Sequence, residues 1–438
     1  MESKKFKRLP YGISNFKRLR EDDYMYVDKT RWIEYMEEEN NPYQFFIRPR
    51  KFGKSLLFSM LSYYYDLKRA DEFENLFGDL YIGQNPTPRH NSYLMMLFDF
   101  SGLRTDSEEN FTIDFNQCIE NTIRTFFAQY KTLLPAAQTS KERIIDARTG
   151  AMSLRWACSE AETAGLNIFV VVDEYDHFAN DLIAQGKYLG NEVYRRMIRA
   201  NGLVRDFYET LKIGTKSVID RIFITGISPV MMDDLTSGFN IATNLTMDLK
   251  YNEMMGFNEN EVNKIICESG IDQNSIKIDP KLYYDGYLFH PEGENRVYNP
   301  AMILYFFSRT KKEGKAPEYI IDDNLKTDYA RLHRLIENEN NREKLLEIAK
   351  NNGIISEIIH KFSIDRLHDD EYFVSLLFYM GLLTIDGEDK NGWRLKIPNY
   401  TIRTIYWEYI EKITREWNQD VLHDPSHKNR LCGNLHTQ

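Results

Sequence analysis

Hydrophobic positions in this chain fall into short aromatic and β-branched runs separated by longer stretches of helical spacing. Tyr43 to Ile47 (YQFFI) is bounded by Pro42 and by basic residues, and predicts a buried strand. Lys54 to Asp66 (KSLLFSMLSYYYD) has helical spacing and opens at Gly53, giving strand, turn, helix. Leu94 to Phe100 (LMMLFDF) predicts a second strand, residues 110–131 and 139–164 two helices, and Ile168 to Val172 (IFVVV) a third strand. That last run is nearly all β-branched, as suits a central parallel strand. Residues 187–213 predict a long helix, Arg221 to Ile227 (RIFITGI) a fourth strand, and Asn244 to Leu249 (NLTMDL) a candidate fifth. Such alternation predicts an α/β fold: a parallel sheet with helices on both faces.

From about residue 258 the pattern turns mostly helical, interrupted by YYDGYLFHPEGENRVYNP before AMILYFF. Further on, EYFVSLLFYMGLL predicts a helix, TIDGEDKNGWRLKI a hairpin turning near Asn391-Gly392, and residues 400–415 another helix. Helix, hairpin, helix is the outline of a winged-helix-like module.

Composition narrows the class without naming a partner. At 438 residues the chain has room for about two or three domains. Its 56 Lys+Arg against 66 Asp+Glu give a formal charge of −10, and 42% of the residues are hydrophobic. This excludes a disordered chain, a collagen-like repeat and a coiled-coil rod, and argues against a surface built wholly for nucleic acid. Cys118, Cys158, Cys267 and Cys432 lie far apart with no CxxC, so neither a zinc ribbon nor a dense disulfide framework is expected. No apolar stretch follows the basic N-terminus, and the run Leu376 to Leu383 is far short of a membrane span. A cytoplasmic protein with no membrane partner is the expectation.

The most informative chemistry is Arg48-Pro49-Arg50-Lys51-Phe52-Gly53-Lys54-Ser55, between a strand and a helix. It matches the second half of the phosphate loop G-x-x-x-x-G-K-[ST], with Arg48 where the first glycine belongs. Backbone N–H groups and the positive helix end can cradle phosphate oxygens there. Gly53 permits close approach, Arg48 and Arg50 add charge, Lys54 can neutralise β- and γ-phosphates, and Ser55 can ligate Mg²⁺. Alone, GKS is better read as an ordinary turn and helix start.

A second acidic motif favours the nucleotide reading. IFVVVDEYD ends an apolar strand in Asp173 and Glu174, where Asp173 can hold a metal through water and Glu174 can polarise the attacking water. In RIFITGIS, Thr225 and Ser228 follow at another strand's carboxyl end, where ligands of such sheets bind. Either hydroxyl can sense a γ-phosphate; a strand threonine and a turn serine need no such role. Arg195, Arg196, Arg199 and Arg205 form a stripe that suits phosphate contact or an arginine finger, though an ion-paired face explains it as well. His177 beside the acids is a candidate metal ligand, and Tyr26 or Phe16 a candidate stacking partner for adenine, with core packing as the competing use.

PYGISNF, YVDKT, FFIRPRKFGKSLL, LFDFS, VVVDEYD, FITGIS, GFNENEV, YYDGYLF and VYNP occur in an order that resembles the bacterial family of predicted AAA-ATPase-like proteins. The likeness covers roughly residues 8–310 and extends through the winged-helix-like stretch. The family's loop reads RPRRFGKS, so the resemblance implies that Arg48 is a family trait, and that Lys51 keeps charge while losing arginine's planar fork. It implies phosphate binding by Lys54 and Ser55, Walker B roles for Asp173 and Glu174, a catalytic hydroxyl on Thr225, and an approach to the nucleotide by Asn299. Many relatives continue into a PD-(D/E)xK nuclease, which is expected to be absent here; Glu388-Asp389-Lys390 reads as turn chemistry.

The expected organisation is a P-loop NTPase domain with an N-terminal extension over 1–255, a helical lid over 256–330, a winged-helix-like region over 331–415 and a polar tail over 416–438. The expected function is an ATPase using ATP and Mg²⁺ as a conformational switch in a DNA-related or defence setting, with a homo-oligomer and a DNA or protein partner as open expectations. The alternative is a non-hydrolysing, nucleotide-gated scaffold.

Overall fold

Five strands meet at the centre: β1 (Tyr43–Ile47), β2 (Leu94–Asp99), β3 (Ile168–Asp173), β4 (Ile219–Gly226) and β5 (Thr243–Asn244). They are seen in a computed structural model that describes residues 6–134, 149–186, 192–199, 202–235, 239–322 and 332–423. All pair in parallel, in the order β2-β3-β4-β1-β5. Every residue of β3 is buried, which is why its sequence is apolar without alternation as far as Asp173.

The register decides where chemistry gathers. Thr225 pairs with Phe46, Gly226 with Ile47, Ile224 with Val172, and Asp99 with Asp173. Four strands thus end at one edge, and β4 stands between the strand that enters the phosphate loop and the strand that ends in Asp173.

Helices Lys54–Tyr65, Glu108–Gln129, Gly150–Thr163 and Leu203–Gly214 connect the strands. Ser107 and Thr149 cap the second and third by accepting from Asn110 N and Met152 N. The expected helix over 187–213 is divided: Glu192–Ile198 ends before Gly202, which caps Leu203–Gly214 from an extended conformation. A Cβ at Gly202 would lie 2.3 Å from the Met197 carbonyl oxygen, so the chain turns there only because the residue is glycine. The fifth strand is also shorter than expected, pairing with β1 only at Gln44 and Phe45. Residues 139–148, 187–191, 200–201 and 323–330, and the tail beyond 423, lie outside the described residues. Cys118, Cys158 and Cys267 form no disulfide.

Beyond helices Glu259–Ser269 and Pro300–Glu313, strands β6 (Gly353–Ser356), β7 (Thr384–Asp389) and β8 (Gly392–Lys396) form an antiparallel sheet ordered β6-β8-β7. Helices Glu339–Asn351, Asp370–Tyr379 and Tyr400–His423 accompany it. This part is joined to the preceding parts of the chain at several points. Met231 N donates to Phe362 O at 3.1 Å, and Leu288 N donates to Thr384 Oγ1 at 2.7 Å. Gly381 approaches Pro49 so closely that a Cβ added to it would stand 2.9 Å from the proline Cβ.

Candidate functional site

The loop from Arg48 to Gly53 leaves β1 and becomes the helix Lys54–Tyr65 through two left-handed residues, Lys51 at φ 66° and Gly53 at φ 101°. A lysine in that region is strained, whereas glycine adopts it freely. Lys54 is buried, and its Nζ donates to the carbonyls of Arg48 at 2.8 Å and Pro49 at 3.0 Å. Burial pushes the ammonium's pKa down; Asp173, Glu174 and Asp176 favour the charged form.

Ser55 Oγ faces Asp173 Oδ2 at 3.4 Å, bringing the helix start and the end of β3 together. Burial pushes the Asp173 carboxyl up to about 6, against Lys54 and with Glu174 and Asp99 adding to the rise. Glu174 sits at φ 51°, another left-handed position. Burial acts to raise its carboxyl too, but His177, Arg50 and Lys54 outweigh that and hold it at about 2. The two adjacent acids are therefore driven apart, one toward neutrality and one toward full ionisation.

The turn carrying them is pinned to β4. Tyr175 N donates to Thr225 O at 3.2 Å, and the buried Asp176 carboxylate accepts from Ile227 N, Ser228 N, Ser228 Oγ and Asn180 Nδ2. Ser228 is thereby committed to the fold. Thr225 Oγ1 is buried and has no hydrogen-bond partner among the described residues. A buried hydroxyl without a partner is costly, so of the two sequence candidates this is the one the fold leaves available.

A cavity of about 440 Å³ opens from the loop. Arg50, Lys51, Gly53, Lys54, Ser55 and Glu174 line its polar end. Pro10, Ile13, Tyr26, Met254, Phe257 and Leu304 line an apolar one. Tyr26 therefore faces the cavity, while Phe16 is wholly buried and stacks on Phe77 at 4.9 Å. Residues from Pro10 to Lys29 and from Met254 to Phe257 complete its walls. Of these, the sequence singled out Tyr26; the rest were marked only by the order of PYGISNF, YVDKT and GFNENEV.

Arg48 is placed differently from the expectation. Its guanidinium is buried, donates to the carbonyls of Ile47, Thr246 and Tyr251 at 2.7–3.0 Å, and lies over the rings of Phe46 and Phe289. The side chain braces the sheet edge and does not line the cavity, because backbone carbonyls take its charge-assisted bonds. Asn299 likewise acts on the loop from behind. Its Oδ1 caps helix Pro300–Glu313 by accepting from Ala301 N and Met302 N, and its Nδ2 donates to Arg50 O at 3.3 Å. Phe52 is buried edge-on against Tyr287 and Phe289, with centroids 5.0 and 5.7 Å away.

The arginine stripe is paired within the chain: Arg195 with Glu192 and Asp365, Arg196 with Glu108, Arg199 with Asp234 and Asp365, and Arg205 with Glu209. Asp389 Oδ1 accepts from Asn391 N at the β7–β8 turn, in keeping with turn chemistry. His177 does not meet three ligating neighbours; among the described residues no group of three or more His, Cys, Asp or Glu side chains is arranged to hold a metal. No described helix is long and apolar enough to cross a membrane.

A protein of Azotobacter chroococcum mcd 1, an uncharacterized protein in the vnfD 5′ region, is 27% identical over 410 residues, covering 91% of this chain and 68% of its own length. The Walker-type ATPase PABY2304 of Pyrococcus abyssi superposes with a TM-score of 0.49 at 14% identity, over 92% of this chain and 99% of that one. The Aeropyrum pernix ORC2 protein gives 0.39 at 9% identity, over 91% and 98%. At these scores the structural likenesses carry no weight beside the sheet and loop themselves. The model of the predicted AAA-ATPase family, AAA-ATPase_like, matches residues 10–236, just over half of the sequence and every residue of the loop and acid motifs. On that match, the chain belongs to the predicted AAA-ATPase family.

Proposed function

We propose that the cavity binds ATP with Mg²⁺ and that the chain hydrolyses it. The observation that carries this reading is the convergence of Lys54, Ser55, Asp173, Glu174 and an unpartnered Thr225 hydroxyl at one sheet edge. The residues suit the group. Among the described residues no carboxylate cluster completes a metal shell by itself, so Ser55 and the Asp173 side would hold Mg²⁺ together with the phosphate. Bound there, the ion would neutralise phosphate charge. Lys54 would exchange the Arg48 and Pro49 carbonyls for phosphate oxygens, and Thr225 would donate its orphan hydroxyl to the γ-phosphate. The apolar end would take the base, with Tyr26 in its wall. Arg50, at the cavity's polar end, adds positive charge beside Glu174.

Hydrolysis forms a bond between the water oxygen and the γ-phosphorus and breaks the bond from that phosphorus to the β–γ bridging oxygen. Both hydrogens of the water leave with inorganic phosphate. Glu174, held ionised, orients and polarises that water. Phosphate release on adding ATP and Mg²⁺ to the purified protein tests the reading; binding without release would favour the nucleotide-gated scaffold.

The loop's rear contacts support a switch. Phe52, Pro49 and the Arg50 carbonyl touch Tyr287, Gly381 and Asn299, so movement of the loop on phosphate binding reaches the C-terminal parts directly. We read β6–β8 and their helices as the winged-helix-like region. Its helix Asp370–Tyr379 is buried from Phe373 to Tyr379 and begins with two acids, which argues for intramolecular docking by that helix over DNA reading.

A further inference from the structure

His177 opens the helix that follows Glu174, and its ring makes two contacts of unlike kind. Nε2 lies 3.2 Å from the carbonyl oxygen of Leu103. A carbonyl only accepts, so Nε2 carries the hydrogen. Nδ1, on the other side of the ring, is buried with no hydrogen-bond partner and stands 3.6 Å from Glu174 Oε2. A ring nitrogen placed there can present a hydrogen to the carboxylate oxygen, which is the acceptor nearest to it.

The backbone around Glu174 is held as well. Its backbone is fixed at φ 51°, the following residue is tied to Thr225, and its own N–H donates to Asp173 Oδ1 at 2.9 Å. The side chain is turned toward His177 through Oε2, and Glu174 lines the cavity.

We propose that His177 is a positioning residue for the hydrolytic step: its Nδ1–H anchors Glu174 Oε2, so that Oε1 faces the water that attacks the γ-phosphate. The Leu103 carbonyl orients the ring, in the way that a third group orients the base of a catalytic pair. This rests on the ATPase reading above. Anchoring one oxygen spares the carboxylate a rotational search during turnover, an effect on the rate and not on nucleotide affinity.

Three substitutions separate this role from a structural one. In His177→Asn the side-chain amide overlays Nδ1, in His177→Gln it overlays Nε2, and His177→Leu keeps neither contact. Phosphate release is measured for the wild type and each variant at saturating ATP and Mg²⁺, together with ATP titration and a thermal melt. The expected result is about a tenfold or greater loss of kcat in His177→Leu and His177→Gln, ATP affinity within about twofold of wild type, and substantial recovery in His177→Asn. Recovery in His177→Gln instead would assign importance to the Leu103 contact and overturn the proposal. So would wild-type turnover in all three variants, or joint loss of binding and melting temperature in all three. If the wild type binds ATP without releasing phosphate, the hydrolysis reading falls and the positioning role with it. If it turns over normally and the variants match it, only the positioning role falls.

Discussion

Lys54 Nζ donates to the carbonyl oxygen of Arg48 at 2.8 Å, so the loop's cation and the residue in place of its usual first glycine are joined through backbone. The guanidinium of Arg48 points its hydrogen bonds elsewhere, to carbonyls of residues 47, 246 and 251. One loop thus holds a positive charge available to a ligand and another spent on the fold.

The spent charge makes Arg48 a stability residue. Arg48→Gly restores the usual phosphate-loop glycine, yet it empties a buried site and strands three carbonyls. The expected outcome is a melting temperature lower by several degrees, from a loss of about 3–5 kcal/mol. A thermal melt of the two proteins checks it.

Glu174→Gln keeps the side chain's size and removes its charge. ATP binding should persist while phosphate release falls by about 100-fold or more. Nucleotide titration and a phosphate-release assay on the same preparation read the two effects separately.

Asp173 supplies the pH dependence. Its carboxyl is raised to about 6 in the folded chain against an ordinary 3.8, so the folded state binds the extra proton between those values. Ionised and without metal it destabilises the fold above about pH 6, and that cost disappears as pH falls toward 4. Asp173→Asn should therefore raise the melting temperature of metal-free protein at pH 8, with a smaller gain at pH 5. Mg²⁺-dependent ATP binding in the wild type should weaken as pH drops through about 6, because the proton competes with the metal side.

Gly381 joins the C-terminal parts to the loop. At φ 77°, with an added Cβ 2.9–3.3 Å from Pro49 and Tyr287, alanine is strained and crowded at once. Gly381→Ala should lower stability by about 1–3 kcal/mol and weaken ATP binding, although the residue lines no part of the cavity. A melt with and without nucleotide tests whether the two effects travel together.

The sheet was legible because β1, β2, β3 and β4 are apolar runs closed by turn residues, and buried parallel strands leave that mark. β6 was not, being four residues (GIIS) whose role depends on distant β8. Lys54, Ser55, Asp173 and Glu174 were legible as local motifs, and the structure gathers them. Arg48 was misplaced because a basic residue in a phosphate loop suggests a ligand contact, while two of its three acceptors lie about 200 residues away in sequence. Of the cavity's apolar wall only Tyr26 was singled out: a wall built from residues 10–29, 254–257 and 300–304 exists only once the chain has folded.

Calorimetric titration of ATP with Mg²⁺ into the wild type and Lys54→Ala addresses the central claim most directly. Loss of the charge-assisted contacts predicts an affinity at least about 100-fold lower in the variant, corresponding to about 3 kcal/mol. Equal affinity in the two proteins, or no binding by the wild type, would contradict the account.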